Sequence, residues 1–367
     1  MASFTNNTLK TTIISFFTLL SLLHIHHTTA VKGGYWSEED AITAPNIDST
    51  LFTHLFCAFA NLNTQTYQIT VHPECSTFPN IIKQKNPSVK ALLCIGGGKA
   101  KSSDYNTMAS QPSSRKTFID STINQAIAYG YDGLDLDWEQ QTTIEEMNNY
   151  GVLLKEWRAA IKARSLPLLL TAAVHYIPDA NSVARFPIQA ISQNLDFINV
   201  MAYDFYGPGW APKPLVTRPH APLRNPKSPV SGSNGISKWI NAGVPAKMLV
   251  LGIPFYGYAW KLENANNNGI LAPSIGGDTS FGDDGTPTYK QIRDFISEKG
   301  AIVKYNSSYV TNYCYSGTTW VVYDDLQAIS GKVVYVKNSG LLGYFAWNIV
   351  QDSNWALSKQ ASQTWEA

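Results

Sequence analysis

Asp132-Gly133-Leu134-Asp135-Leu136-Asp137-Trp138-Glu139 places four acidic groups in a segment whose Leu134, Leu136 and Trp138 alternate as a strand does. Successive side chains leave opposite faces of a strand, so Asp135, Asp137 and Glu139 share one face, roughly 6 to 7 Å apart from one to the next. Burying three carboxylates on one face is costly unless they share protons and hydrogen bonds, so their environments drive their pKa values apart. Such a separation is how an acid catalyst is made. A calcium loop fits less well, because calcium loops carry Gly and Asn rather than apolar residues between their acids. An exposed acidic strand would not place Leu, Leu and Trp on its other face.

These acids need a frame that turns them toward a cleft. The chain of 367 residues has room for two average domains or for one α/β barrel with an insertion. Eight apolar strand candidates recur with helical stretches between them: Val31 to Trp36, His54 to Ala60, Val89 to Ile95, Gly133 to Asp137, Leu168 to Val174, Phe197 to Tyr203, Met248 to Phe255 and Leu341 to Trp347. That alternation predicts a closed parallel (β/α)8 TIM barrel. After the fourth strand, Thr143 and Glu146 form a capping box, and Met147, Tyr150, Leu154, Trp157 and Ile161 keep the helical period. The preceding helix runs from Ser113 through Phe118, Ile119 and Ile123 to a stop at Gly130. The working face of such a barrel is at the C-terminal ends of its strands, where Glu139 falls. The interval between the seventh and eighth strands is much longer than the others and carries its own turn residues. It predicts a small α+β insertion over 258–338, with the barrel formed by 31–257 and 339–367.

Composition narrows the partners. Lys plus Arg number 28 against 27 for Asp plus Glu, with no long run of one sign, so attraction to nucleic acid or to an anionic membrane has no support. The ligand is expected to be uncharged or small. Aromatic residues make up 12% of the chain; most belong in the core, with some available as stacking platforms. The four histidines beyond the leader (His54, His72, His175 and His220) are scattered singly, which predicts no metal. The glycines at 96–98 lack a following Lys-Ser/Thr pair, so they make no phosphate loop. No cofactor is expected.

Residues 1–30 read as a signal peptide: Lys10 precedes an apolar run from Ile13 to Leu23, and Thr28-Thr29-Ala30 ends in small residues. The run is too short to span a bilayer, and a secreted, extracellular protein rather than a vacuolar one is expected to begin near Val31. Cys57, Cys75, Cys94 and Cys314 have no framework-like spacing. Cys57 and Cys94 lie in apolar strands and are expected as buried thiols, with one bridge left open. Asn306-Ser307-Ser308 is a glycosylation acceptor.

At these residues the chain resembles glycoside hydrolase family 18 and, within it, the plant class V chitinases. Asp132 to Glu139 fits the family's D-G-x-D-x-D-x-E, Met201-Ala202-Tyr203-Asp204 fits its M-x-Y-D, and Trp347 fits its barrel-floor tryptophan. Tyr35, Phe59 and the Gly96-Gly97-Gly98 turn fall where the family places an aromatic, an aromatic and glycines. The resemblance implies endo-acting hydrolysis of β-1,4 bonds between N-acetylglucosamines in chitin or chitooligosaccharides, by a monomer. Glu139 would be the proton donor and later the base. The family is an exception to the two-carboxylate rule, its nucleophile being the substrate's own acetamido oxygen. Asp137 would then hold the acetamido N–H and stabilise the oxazolinium ion, Asp135 would share a proton behind it, and Tyr203 would hold the same acetamido group. Tyr35, Phe59, Gly97, Met201, Asp204 and Trp347 are implied to line the substrate site. Two departures stand out: Cys94 replaces the family's Ser before the glycine turn, and Gln140-Gln141 follows the acid where an aromatic and Pro are usual. Two alternatives share the barrel. One is a chitin-binding lectin with little turnover, and the other a hydrolase of lipo-chitooligosaccharides.

Overall fold

The computed structural model describes residues 30–37, 42–179, 183–282 and 285–367, so the segment expected to be a signal peptide, apart from Ala30, lies outside the described residues. Eight parallel strands close into a ring: Val31–Ser37, His54–Leu62, Lys90–Gly96, Gly133–Asp137, Leu169–His175, Phe197–Met201, Leu249–Pro254 and Gly343–Trp347. The first pairs with both the second (Tyr35 opposite Phe56) and the last (Val31 opposite Gly343). The (β/α)8 barrel expected from the strand spacing is therefore present.

A sheet covered on both faces needs apolar residues at both parities. Inward-facing Tyr35, Phe56, Leu92, Cys94, Phe197, Val250 and Phe345 fill the barrel. The intervening Leu55, Cys57, Leu93, Leu134, Leu136 and Trp138 pack outward against helices. In the fourth strand the inward parity belongs to Asp135 and Asp137. The helix after it, Ile144–Ala163, has both halves of the Thr143/Glu146 capping box, and Pro112–Tyr129 stops at Gly130 in the left-handed conformation (φ 77°). The sixth strand ends at Met201, two residues short of Tyr203, which frees Tyr203 and Asp204 for the rim.

Cys57 is not a free thiol. It is bonded to Cys75, tying the second strand to helix Pro73–Lys85. Period-2 reading puts Cys57 on the outward face but cannot show which helical residue comes to lie against it. Cys94 and Cys314 are buried and free.

The insertion is a five-stranded antiparallel sheet in the order Ser274–Gly277, Tyr258–Leu262, Thr319–Tyr323, Thr311–Ser316, Ile302–Asn306, with helix Tyr289–Lys299. Helix Leu326–Asn338, placed in the insertion by the sequence reading, packs its Ile329, Val333 and Val336 into a core that holds Tyr344, Leu357 and Ala361 as well as Tyr289, Val310 and Tyr323. Trp347 packs against both the barrel interior and the insertion's own core of Tyr256, Tyr258, Trp260 and Trp320. Among the described residues, no helix is long and apolar enough to cross a membrane.

Candidate active site

The fourth strand's acids occupy three different environments. Asp132, at the N-terminal end, pairs with Lys83 at 2.7 Å and accepts from the Ala91 N–H. It is a structural anchor far from the working face. Asp135 is fully buried, with Tyr35 Oη donating to Oδ2 at 2.7 Å and Thr171 Oγ1 to Oδ1 at 2.5 Å. The Cys94 thiol is a third donor. Register explains this enclosure: Cys94 and Thr171 face Asp135 directly from the strands on either side. Asn199 in turn donates to Tyr35 Oη at 2.7 Å. Burial raises the Asp135 pKa while the three donors oppose the rise.

Asp137 is also buried, and its Oδ1 has no hydrogen-bond partner. Burial first, then the charges of Glu139 and Asp135, push its pKa well up. Glu139 stands at the strand's end, partly accessible, and burial followed by the Asp204 charge raises it to about 7. A carboxylic acid that keeps its proton near neutrality is a general acid in waiting.

The glycine turn shapes the floor beneath these acids. Gly96 has φ +119°, and a Cβ there would lie 2.1 Å from the Asp137 carbonyl oxygen. Gly97 donates to that oxygen at 2.8 Å, and its missing side chain is the space filled by the Phe59 ring. Past the acid, Gln140 (φ 62°) is exposed and reaches the Gly98 carbonyl, while Gln141 is buried and donates back to the Trp138 carbonyl. Trp138 points outward to Ser102 Oγ at 2.8 Å, and Ser102 donates to the capping-box Glu146. The residues that begin the helix therefore also hold the strand end that presents Glu139.

The sixth strand contributes Met201, Tyr203 and Asp204 to the same mouth. Met201, Tyr203, Phe59 and Trp347 are partly buried around the barrel interior, with Phe59 and Trp347 ring centroids 5.6 Å apart. Asp204 sits in a left-handed conformation at φ 58°, and its Oδ1 accepts from Tyr256 Oη at 2.5 Å and Tyr258 Oη at 3.0 Å. Burial would raise its pKa, but His220 and the two tyrosines hold it below the usual carboxylate value. Tyr35, read from sequence as a cleft residue, is only 1% exposed and lies beneath the cleft, its hydroxyl committed to Asp135.

Sequence reasoning missed Thr171, Asn199, Tyr256, Tyr258 and His220. The first two carried a signal: Thr171 and Asn199 are polar residues inside apolar strands, and Asn199 shares the parity of Met201 and Tyr203. The others had none, since their partner is remote in sequence.

A parallel barrel with a carboxyl raised to about 7, a buried carboxyl with one oxygen unpartnered, and aromatic rings at the C-terminal ends of its strands is the architecture of a glycosidase. Residues 31–352 match glycosyl hydrolases family 18, and the chain belongs to that family. It is 49% identical to the class V chitinase of Arabidopsis thaliana, over 97% of this chain and 95% of that one. Its fold is similar to that of the class V chitinase from Nicotiana tobaccum in complex with NAG4, with TM-score 0.90 and 52% identity over 92% of this chain and 99% of that one. It is similar as well to a chitinase-like agglutinin from Robinia pseudoacacia, with TM-score 0.85 and 45% identity, over 92% of this chain and all (100%) of the agglutinin.

Proposed function

We propose that this glycosidase is a secreted, monomeric, endo-acting chitinase that cleaves β-1,4 bonds between N-acetylglucosamines with retention of configuration. The observation that carries the reading is the division of labour among the three acids. Glu139 is the one raised to about 7 at the accessible strand end, so it delivers the proton to the leaving oxygen and later takes one from water. Asp135 is enclosed by three donors and cannot attack a sugar. Asp137 has a buried acceptor oxygen in search of a donor, which suits an acetamido N–H. With no carboxylate placed as nucleophile, the substrate's acetamido oxygen takes that part, and Asp137 and Tyr203 hold the group in line and stabilise the oxazolinium ion. Asp204, Phe59, Met201 and Trp347 line the cleft. Tyr35 and Gly97 act from below it, through Asp135 and Phe59.

The test is digestion of a chitin hexamer by the protein and by Glu139→Gln, following product anomers. Cleavage with retention that is abolished in the variant is expected, and inversion at the anomeric carbon would rule out acetamido participation. A hexamer stripped of its acetyl groups should survive; equal cleavage would contradict the roles of Asp137 and Tyr203. The resemblance to an agglutinin supports a second reading, a chitooligosaccharide-binding lectin. Binding of the hexamer without cleavage would establish that reading instead. Release of an acylated chitooligosaccharide's terminal sugars in preference to hexamer cleavage would favour the lipo-chitooligosaccharide substrate.

A further inference from the structure

His220 is 1% exposed, and neither ring nitrogen has a hydrogen-bond partner within normal distance. An imidazole buried with both nitrogens unmet is costly unless another interaction compensates. Its Nδ1 lies 3.7 Å from Asp204 Oδ1. The ring packs against Tyr256 and Tyr258, with centroids 5.2 and 5.0 Å away, the same tyrosines whose hydroxyls hold Asp204. The backbone fixes this placement, because the Phe205 N–H, next to Asp204, donates to the His220 carbonyl at 2.8 Å. Behind the ring, Lys332 donates to the Ala221 carbonyl at 2.6 Å and pairs with Asp324, both charges being buried. Asp324 lies within electrostatic reach of His220. Electrostatic influence thus links Glu139, Asp204, His220 and Asp324, and Asp324 pairs with Lys332 on helix Leu326–Asn338.

We propose that His220 is a positioning residue: with Tyr256 and Tyr258 it anchors Asp204 as an anion at the cleft, where its carboxylate accepts a hydrogen bond from a sugar hydroxyl. The inference rests on the placing of Asp204 in the lining of the substrate cleft. The ionisable groups facing Asp204 are Glu139 and Tyr203 on the cleft side, Tyr256 and Tyr258 from the start of the insertion, and His220 from the loop after the sixth strand. Only the last three stabilise the anion. Removing His220 makes Asp204 easier to protonate, and a protonated Asp204 is a poorer acceptor for the sugar hydroxyl, so the change appears in KM on the acid side of the pH profile.

The experiment compares His220→Phe and His220→Gln with the parent on chitin hexamer across pH, recording kcat and KM separately. In His220→Phe the acid limb of kcat/KM should move up by about one pH unit, a loss of about tenfold on that limb, with little change above neutrality. His220→Gln keeps a side-chain N–H and should restore most of the shift. Superimposable profiles for parent and His220→Phe would overturn the proposal, because a purely structural role lowers amplitude or melting temperature without moving a limb. Should His220→Phe fold poorly, Tyr258→Phe removes a neighbouring donor and should move the limb the same way. A readout independent of turnover separates failure here from failure of the chitinase reading: carbon-13 titration of Asp-labelled protein, with the Asp204 carboxyl assigned by its loss in Asp204→Asn. An Asp204 that titrates about one unit higher in His220→Phe supports the proposal even in a protein that only binds sugar. Unchanged titration refutes it.

Discussion

Asp135 receives three donors and Asp204 two hydroxyls with an imidazole beside them, yet their pKa values move in opposite directions. Asp135 is enclosed by Tyr35, Thr171 and Cys94 and is displaced upward; Asp204 is held by Tyr256, Tyr258 and His220 and is displaced downward. Accessibility and the His220 imidazole together decide the sign. Asp135 is fully buried, whereas the Asp204 side chain keeps 46% of its exposure. Desolvation of a carboxylate grows steeply with burial, while each hydrogen bond adds a roughly fixed amount. The two surroundings therefore displace the floor carboxyl toward its protonated form and leave a negative charge at the rim. Glu139 lies between these two situations, part buried and beside the rim charge, and its value of about 7 records both influences.

The largest effect expected is on the group that reads out this arrangement. Glu139→Gln should lower kcat on chitin hexamer by about 10³-fold or more while leaving binding by calorimetry intact. Next comes the rim. Asp204→Asn removes the charge that opposes ionisation of Glu139, so the Glu139 pKa falls. The acid must carry its proton to act, hence the alkaline limb of kcat/KM, near pH 7 in the parent, should move to lower pH and cost about tenfold at neutrality. An unmoved limb would break the link between the rim charge and the acid. At the floor, Thr171→Val deletes one donor and should raise the Asp135 pKa further, at a stability cost of about 1 to 3 kcal/mol in denaturant titration. Because the folded pKa then lies further above the unfolded one, the unfolded chain loses its proton first. Stability should fall with rising pH across that widened interval. The smallest change is Cys94→Ser, which exchanges a weak donor for a stronger one. It should lower the Asp135 pKa slightly and leave kcat/KM within about threefold; a large gain would mean that the thiol had been limiting the floor.

The floor was more legible than the rim. Asp135, Cys94 and Tyr35 lie on strands whose alternation and order can be read from apolar periodicity, and parallel register then brings Cys94 and Thr171 beside Asp135. Thr171 and Asn199 went unremarked, although a hydroxyl and an amide inside apolar runs signalled an inward polar contact. At the rim no periodicity helps. Tyr256 and Tyr258 come from the entry to the insertion and His220 from a loop, and a contact across 16 residues to His220 or more than 50 to the tyrosines depends on where loops settle. The same limit explains the bridge from Cys57 to Cys75.

By itself the sequence determined the barrel, the inward parity of Asp135 and Asp137, the position of Glu139 at a strand end and the family of hydrolases to which the chain belongs. The first three follow from local periodicity, because backbone geometry converts spacing into direction, and the family follows from the resemblance of its motifs. Only the tertiary structure decided how far each carboxyl is buried and which donors reach it. Those are sums over neighbours from distant segments, and they set which acid keeps its proton, which stays charged and which is left open to a ligand.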